Sequence, residues 1–171
     1  MAFLDELEAC AWRDRVKLHV SEDRSRADLQ VVFAHPQPRA HVYACGSDAY
    51  MSAVMQVAEA AGVPDDHRHL EYFSVPDAPE HENHEFTLKL ARSGVEFTIP
   101  ADRVTTDVLL EHGVSVNVKC SDGLCGVCRC GLLDGAVEHR DFVLSKSQRE
   151  NNIILCQSRA AEKDGVIVID L

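Results

Sequence analysis

The spacing of the cysteines constrains this chain more than any other feature. Three of them, Cys120, Cys125 and Cys128, follow the pattern C-x4-C-x2-C, and Cys130 comes shortly after. Cys156 lies much further along, beyond residues 129–155. Three thiols in one loop and a fourth from a distant segment form one metal centre only if the fold brings the segments together. The pattern therefore predicts a loop that is fixed to the rest of the molecule.

Metal binding explains so many thiols better than disulfide formation does. The chain has seven cysteines in 171 residues, and its first nine residues hold three acidic side chains and no Lys or Arg. A secretory signal begins with basic residues and continues with an apolar stretch, so none is predicted and a cytoplasmic location is expected. Thiols in a reducing cytosol rarely pair as disulfides, which leaves metal binding as the leading alternative.

The spacing is that of plant-type 2Fe-2S centres. Two irons, each tetrahedral, share two bridging sulfides and need four thiolates in all. We predict that Cys120, Cys125, Cys128 and Cys156 are the four metal ligands. Cys130 is interpreted as a small side chain that is buried or partly buried. Such centres have potentials of roughly −400 mV.

The backbone of the same loop is predicted to contact the cluster. Gly123 and Gly126 permit positive φ angles and a close approach of the main chain to sulfur. N–H groups from Ser121 to Cys128 then donate hydrogen bonds to sulfur, which stabilises a negative centre and affects its potential. Ser121, Gly123 and Gly126 are therefore predicted to bind the cluster through their backbones.

Two alternatives to an iron-sulfur centre remain open. A structural zinc ion would use Cys120, Cys125, Cys128 and either Cys130 or Cys156, although zinc sites usually contain two separate C-x2-C pairs. Alternatively, the cysteines are buried and inert. A Rieske centre is not expected, because no histidine stands beside these cysteines at the required spacing.

Several further polar side chains are interpreted as solvated. Four histidines form an H-x-H and an H-x2-H pattern, which indicates a metal only faintly. Those histidines are His67, His69, His81 and His84. Four arginines in the second half are interpreted as ordinary surface charges, with a docking ring around the cluster as the alternative. Those arginines are Arg129, Arg140, Arg149 and Arg159.

The charge balance argues against a nucleic-acid partner. Lys and Arg number 17 and Asp and Glu number 28, which gives a formal charge of −11. Such a surface repels phosphate backbones. No stretch approaches the roughly 18 unbroken apolar residues of a membrane helix, so membrane insertion is not expected either. The chain length suits one domain or two small ones.

The second half of the chain is predicted to form short strands. Residues 85–91 and 95–99 alternate apolar and polar side chains around Ser93–Gly94, which predicts a hairpin. A helix capped by Thr105 or Thr106 is expected to run to Glu111. Later strands are expected at 131–137, 153–155 and 166–169, with a turn at Asp134–Gly135 in the first of these ranges. One helical turn is expected at 145–150. Together these elements describe a β-grasp sheet.

The first half alternates strands and helices, which predicts a parallel sheet with helices packed on it. Strands are expected at 16–20, 41–44 and 68–73, and helices at 1–8 and 28–34. A further helix begins at Asp48 and ends near Gly62, with Met51, Val54, Met55 and Ala58 on one face. Residues 75–84 contain prolines and acids without apolar periodicity, so they are predicted to be a linker.

Both halves resemble known proteins. Residues 85–171 resemble plant-type ferredoxins over their whole length. Tyr43-Ala-Cys45-Gly46, Met51-Ser-Ala-Val54 and Leu70-Glu71-Tyr72-Phe73 resemble the closing half of the nucleotide domain of ferredoxin reductases. This order resembles the phthalate dioxygenase reductase and vanillate demethylase reductase family. The implied fold class is α+β, with a partial α/β nucleotide-binding half-domain at 1–74, the linker, and a β-grasp 2Fe-2S domain at 85–171.

The resemblance also implies a function. That family passes electrons from NADH through FMN to a 2Fe-2S cluster and on to an oxygenase. By this resemblance Cys45 and Gly46 lie near the nicotinamide and Phe73 near the flavin ring. Cys120 and Cys125 would bind the iron nearer the surface, and Cys128 and Cys156 the inner iron. The implied partners are a flavin- and NAD-binding portion as donor and a Rieske-type oxygenase or O-demethylase as acceptor, and no catalytic acid, base or nucleophile is required.

The chain departs from the family in three respects. Ser47 follows Cys45-Gly46 where the family commonly has Pro. No two glycines stand in a G-x-G spacing, and no Arg-x-Tyr segment of the flavin-binding kind occurs. The chain is therefore expected to be a fragment without a flavin site. FMN and NAD(P)H would bind only a full-length NAD(P)H-dependent oxidoreductase, of which this chain is the electron-transfer part.

Overall fold

The computed structural model describes residues 3–20, 25–76 and 81–171, and the contacts within the chain divide it into two units. The first unit is Met1–His35 and the second is Pro36–Leu171. Part of the predicted linker, residues 77–80, lies outside the described residues. Within the described ranges, no helix has the length and apolar character needed to cross a membrane.

The first unit consists of short helical segments. Helix α1 (Leu4–Ala9) and helix α2 (Leu29–Val32) bury no residue. The helix predicted at 1–8 begins three residues late, and Met1 and Ala2 lie outside the described residues. The strand predicted at 16–20 is wrong, because those residues adopt no regular structure and no described strand pairs with them. A strand without a neighbour has nothing to satisfy its backbone N–H and C=O groups.

The second unit begins with a small parallel α/β motif, as predicted. Strand β1 (Val42–Cys45) leads into helix α3 (Asp48–Ala60), and strand β2 (Arg68–Glu71) pairs with β1 in parallel. The helix buries an apolar face made of Met51, Val54 and Ala58. The residue before it, Ser47, caps the helix by accepting a hydrogen bond from the Tyr50 N–H at 3.4 Å. The predicted cap, Asp48, is instead the first helical residue.

The rest of the second unit forms the predicted β-grasp sheet. The strands are β3 (Phe86–Leu90), β4 (Glu96–Ile99), β5 (Arg129–Asp134), β7 (Asn152–Ile154) and β9 (Val166–Ile169). Their order in the sheet is β4-β3-β9-β5-β7, with β3 and β9 parallel and the other neighbours antiparallel. Helix α4 (Thr105–Glu111) covers this sheet with Val108 and Leu109 in the core. Its cap is Val104, and the predicted caps Thr105 and Thr106 are instead buried helical residues.

A second, two-stranded sheet joins β6 (Val137–Glu138) to β8 (Arg159–Ala160). The turn predicted at Asp134–Gly135 is present and separates β5 from β6. Gly135 has a φ of +105°, and a Cβ atom there would lie 2.3 Å from the Val166 carbonyl oxygen. The turn therefore requires glycine. The remaining helix, α5 (Lys146–Arg149), precedes β7.

This arrangement places Cys128 directly before strand β5 and Cys156 shortly after strand β7. Residues 120–128, which we call the cysteine loop, end where β5 begins. Cys156 follows strand β7, which pairs with β5 in register Arg129 opposite Ile154. Because the two strands are neighbours, the end of the cysteine loop and Cys156 are brought together by the sheet itself.

Candidate metal centre

The cysteine loop curves tightly because three of its residues adopt positive φ angles. Ser121, Gly123 and Gly126 have φ values of 63°, 73° and 69°. Glycine adopts such angles without steric cost, while serine does so only under constraint. The Ser121 carbonyl accepts a hydrogen bond from Gln157 Nε2 at 2.7 Å, which holds this residue in place.

Two of the loop thiols form an outer pair. Burial raises the pKa of Cys120, but hydrogen bonds from the Asp122 N–H, the Cys125 thiol and the N–H groups of Leu124 and Cys125 outweigh it and lower the pKa to about 7. The distance from the Asp122 nitrogen to the Cys120 Sγ is 3.4 Å. These donors favour the thiolate, which is the form that binds metals.

Cys128 and Cys156 form an inner pair. A hydrogen bond from the Cys156 thiol, opposed by burial and assisted by nearby backbone N–H groups, lowers the pKa of Cys128 to about 6. The same hydrogen bond, together with burial, raises the pKa of Cys156. The Gly123 N–H donates to Cys156 and so connects the cysteine loop with the distant cysteine. Both halves of the predicted ligand set therefore meet.

The two pairs differ in their contact with solvent. Cys128 and Cys156 are each only 5% exposed, whereas Cys125 is exposed and Cys120 is half-buried. The fourth cysteine of the segment, Cys130, turns elsewhere, with its Sγ 3.9 Å from the Asp170 carbonyl oxygen. Burial raises the pKa of Cys130, which opposes thiolate formation. Cys130 is thus partly buried, as expected.

The donor set fits a two-metal centre better than a single zinc ion. Four thiols arranged as two pairs match the need of two bridged irons for two thiolates each. The backbone N–H groups directed at the sulfurs suit a negatively charged group at this position.

Residues 141–143 form a wall behind the cysteine loop that the sequence did not predict. Phe142 N–H donates to the Gly123 carbonyl oxygen at 3.2 Å, and a Cβ atom on Gly123 would lie 3.2 Å from Asp141 Cα. Val143 Cγ2 is 3.6 Å from the position of a Cβ atom on Gly126. In the sequence, Asp141 follows Arg140 and precedes the apolar residues 142–144, a pattern that by itself does not predict this wall.

The residues assigned to a nicotinamide or flavin lie at one end of the small parallel sheet. Cys45 and Glu71 are paired at the carboxyl ends of β1 and β2, and Gly46 follows with a φ of +152°. Phe73 comes two residues after β2 and is 90% exposed. The carboxyl ends of parallel strands are where such folds bind ligands. The placement of Cys45, Gly46 and Phe73 in a binding site stays a prediction.

The four arginines do not share one role. Arg159 is not a surface charge, because it is only 6% exposed and donates to the carbonyl oxygens of His84, Pro100 and Arg103 at 2.7–2.9 Å. The others use their guanidinium groups within the fold. Arg129 donates to Asn152 Oδ1, Arg140 pairs with Glu138, and Arg149 donates to the Asp141 carbonyl oxygen.

The histidines are less solvated than predicted. His67 and His69 are half-buried, and they stack with His41 at ring-centroid distances of 4.1 and 5.2 Å. Burial and the neighbouring His41 and His67 lower the pKa of His69. His81 is exposed and its Nδ1 lies 2.8 Å from Glu138 Oε1. The positions of these rings are explained by stacking and hydrogen bonding.

Comparisons with known proteins agree with this site. The family model of the 2Fe-2S iron-sulfur cluster binding domain matches residues 88–161, a range that includes all four paired cysteines. Phthalate dioxygenase reductase from Burkholderia cepacia is 38% identical over 99% of this chain and 52% of its own length. Vanillate O-demethylase oxidoreductase from Pseudomonas sp. (strain HR199 / DSM 7063) is 30% identical over 99% of this chain and 54% of its own length.

A solved structure gives the same result. Phthalate dioxygenase reductase, described as a modular structure for electron transfer from pyridine nucleotides to [2Fe-2S], superimposes with a TM-score of 0.58 at 36% identity. The match covers 100% of this chain and 53% of the other. The chain thus spans about half the length of the curated relatives it matches. It belongs to the phthalate dioxygenase reductase and vanillate demethylase reductase family, and its second half is a 2Fe-2S cluster binding domain of the β-grasp type.

Proposed function

We propose that this chain transfers single electrons through a 2Fe-2S cluster held by Cys120, Cys125, Cys128 and Cys156. The observation that carries the proposal is the meeting of these thiols in two pairs, although Cys156 comes from another part of the chain. When bound, the cluster supplies one-electron chemistry near a potential of roughly −400 mV. The chain itself needs no acid, base or nucleophile for this function.

The protein has three tasks in this function. Backbone N–H groups of Asp122, Leu124 and Gly123 offset the negative charge of the thiolates. Burial of Cys128 and Cys156 keeps water from the inner pair. The exposed Cys125 leaves the outer pair within reach of another protein, because electron transfer requires a short distance to the surface. These features together make the exposed side of the cysteine loop the surface at which electrons pass to or from another protein.

We also propose a place for this chain in a longer electron path. In the complete reductase, one NAD(P)H is oxidised to NAD(P)⁺ with release of one proton and two electrons, which a flavin portion accepts. The electrons then pass singly through the site described here to a Rieske-type oxygenase or O-demethylase. Support comes from family membership, from relatives that are oxygenase reductases, and from the parallel sheet with Cys45 and Phe73 near its carboxyl end.

Metal analysis and substitution test the proposed ligands. Purified without oxygen, the chain is expected to be brown, to hold about two irons and two sulfides, and to give a rhombic EPR signal after reduction. Cys125→Ser and Cys156→Ser are each expected to lose most of the iron. Cys130→Ser and Cys45→Ser are the matched controls and are expected to keep it. A colourless protein with one zinc, or iron loss in Cys130→Ser but not in Cys156→Ser, would contradict the proposal.

A kinetic assay tests the position in the electron path. With NADH as the donor, this chain alone is expected not to reduce cytochrome c, because it lacks the G-x-G phosphate-binding turn. Addition of a flavoprotein donor is expected to start the reduction. Rapid reduction by the chain alone would show that it contains a complete nucleotide-to-cluster path, against the proposal.

A further inference from the structure

We propose that Asp141 is a positioning residue for the cysteine loop and that Arg149 balances the charge of its buried carboxylate. Asp141 is not a proposed ligand, and it would act through the backbone of the loop. The inference rests on the proposed cluster site. Its support is a continuous set of contacts from the carboxylate to the two loop glycines.

One carboxylate oxygen fixes a turn. Asp141 Oδ1 accepts hydrogen bonds from the N–H groups of Val143 at 3.1 Å and Leu144 at 2.8 Å. An aspartate that accepts from the second and third N–H groups after it closes the chain into a tight turn. Phe142 lies inside this turn, so the direction of its N–H group depends on the carboxylate.

That turn forms the wall of the cysteine loop. Phe142 N–H donates to the Gly123 carbonyl oxygen, and the Asp141 backbone lies so close to Gly123 that a Cβ atom there would be 3.2 Å from Asp141 Cα. Gly123 in turn donates its own N–H to Cys156. A shift of the turn would therefore move the residue that connects the cysteine loop with the inner pair of thiols.

The second carboxylate oxygen explains the role of the two neighbours. The Asp141 side chain is 0% exposed, and its Oδ2 has no hydrogen-bond partner among the described residues. His139 Nδ1 lies 3.7 Å away and Arg149 Nη2 3.8 Å away, both beyond hydrogen-bond distance. Arg149 Nη2 also donates to the Asp141 carbonyl oxygen at 2.8 Å. A buried carboxylate is tolerated only beside compensating groups, and Arg149 is the cation that stands beside this one.

Of the two side chains beside the Asp141 carboxylate, only Arg149 carries a charge at neutral pH. Burial and the nearby guanidinium of Arg149 lower the pKa of His139, although Asp141 opposes this effect. His139 is therefore neutral at neutral pH, and Arg149 is the cation that balances the carboxylate. Removal of Arg149 would leave a buried negative charge behind the cysteine loop.

Two substitutions at one position separate the hydrogen bonds from the charge. In the iron-loaded protein, Asp141→Asn keeps an oxygen that can accept from Val143 and Leu144, while Asp141→Ala removes it. We expect Asp141→Ala to release iron to a chelator at least fivefold faster and to broaden the EPR signal. Asp141→Asn is expected to stay within about twofold of the unmodified rate and to keep the EPR line shape. Asp102→Ala, which removes an exposed carboxylate, is the matched control.

Each outcome decides for or against the positioning role. Iron release from Asp141→Ala at the unmodified rate, or equal acceleration in both Asp141 variants, overturns it. If Asp141→Ala does not fold, Arg149→Met decides, since it leaves both hydrogen bonds of Oδ1 intact. We then expect a lower reduction potential and faster iron release, and unchanged values overturn the inference. Absence of a cluster from the unmodified chain would refute the proposed function instead.

Discussion

Gly123 is the residue at which three parts of the site come closest together. Its φ angle is +73°, and an added Cβ atom would meet Asp141 Cα and Gln157 Cγ, each at 3.2 Å. One of these neighbours is backbone and cannot rotate away. The Gly123 N–H donates to Cys156, and the Gly123 carbonyl oxygen accepts from the Phe142 N–H. This position therefore combines a conformational and a steric requirement for glycine.

We predict that Gly123→Ala reduces the iron content of the purified chain and lowers its free energy of unfolding by about 1–3 kcal/mol. The cause is a strained φ angle together with displacement of the Asp141 turn. Iron analysis and chemical denaturation of the same preparation measure the two effects.

Gly113→Ala is the control for that prediction. Gly113 has a φ of +77°, but a Cβ atom there would meet no atom within 4 Å. It therefore causes the same backbone strain without crowding, and we expect it to keep its iron. Equal iron loss in both variants would show that strain alone, and not contact with the Asp141 turn, explains the result.

At the scale of secondary-structure elements, Arg159 connects strand β8 to the segments on both sides of the hairpin β3–β4. Its guanidinium donates to the carbonyl oxygens of His84, Pro100 and Arg103 and lies over the Phe86 ring, 5.0 Å from its centroid. Only a planar group with several N–H donors can serve three carbonyls at once. Arg159 thus closes an end of the sheet that the backbone leaves open.

We predict that Arg159→Met lowers the free energy of unfolding by about 2–4 kcal/mol, because three acceptors lose a charged donor while the apolar contact with Phe86 is largely kept. Arg129→Met, which removes a single hydrogen bond to Asn152 from an exposed side chain, is expected to cost less than about 1 kcal/mol. Denaturation curves compare the two. A similar small loss in both would contradict the role given to Arg159.

The elements also show what a sequence can predict here. The hairpin at 85–99 follows from apolar alternation, helix α4 from the residues at its ends, and the strand at 166–169 from a short apolar run. The structure confirms all three, and each contributes buried residues to the core. The strand expected at 16–20 fails because its alternation lacked a neighbouring strand. The burial of Arg159 and the wall at Asp141 depend on segments that are distant in sequence, so no local pattern announces them.

The cysteine site was likewise predictable from the sequence only in part. The spacing of Cys120, Cys125 and Cys128 predicts a ligand loop. Gly123 and Gly126 have the positive φ angles expected of them, while their contact with a cluster stays a prediction. Which N–H groups point at sulfur was less predictable, since the donors found belong to Asp122, Gly123, Leu124 and Cys125 near the outer thiols and the distant cysteine. Those directions depend on the wall behind the loop.

At the scale of the whole molecule, two histidines make stability depend on pH. Burial, together with His41 and His67, lowers the pKa of His69 although Asp66 opposes it. Burial and Arg149 likewise lower the pKa of His139 against the effect of Asp141. Both rings have a pKa of about 6.5 when unfolded, so the unfolded chain binds more protons than the folded chain just below that pH.

We predict that the free energy of unfolding is highest above about pH 6.5 and falls as the pH decreases below that value through the lowered pKa of each ring. Urea denaturation across this range measures the slope. The double variant His69→Gln, His139→Gln is expected to have a shallower slope, and an unchanged slope would exclude these two rings as its cause. His19→Gln, in the first unit, is a control that is expected to leave the slope as it is.

The position of Cys156 directly after the buried residues Ile153, Ile154 and Leu155 links the metal centre to the hydrophobic core. With Cys156 as a ligand, the free energy of metal binding adds to the free energy that holds strand β7 in the sheet. Removal of the metal is therefore expected to loosen this strand and to make it easier to cleave by proteolysis.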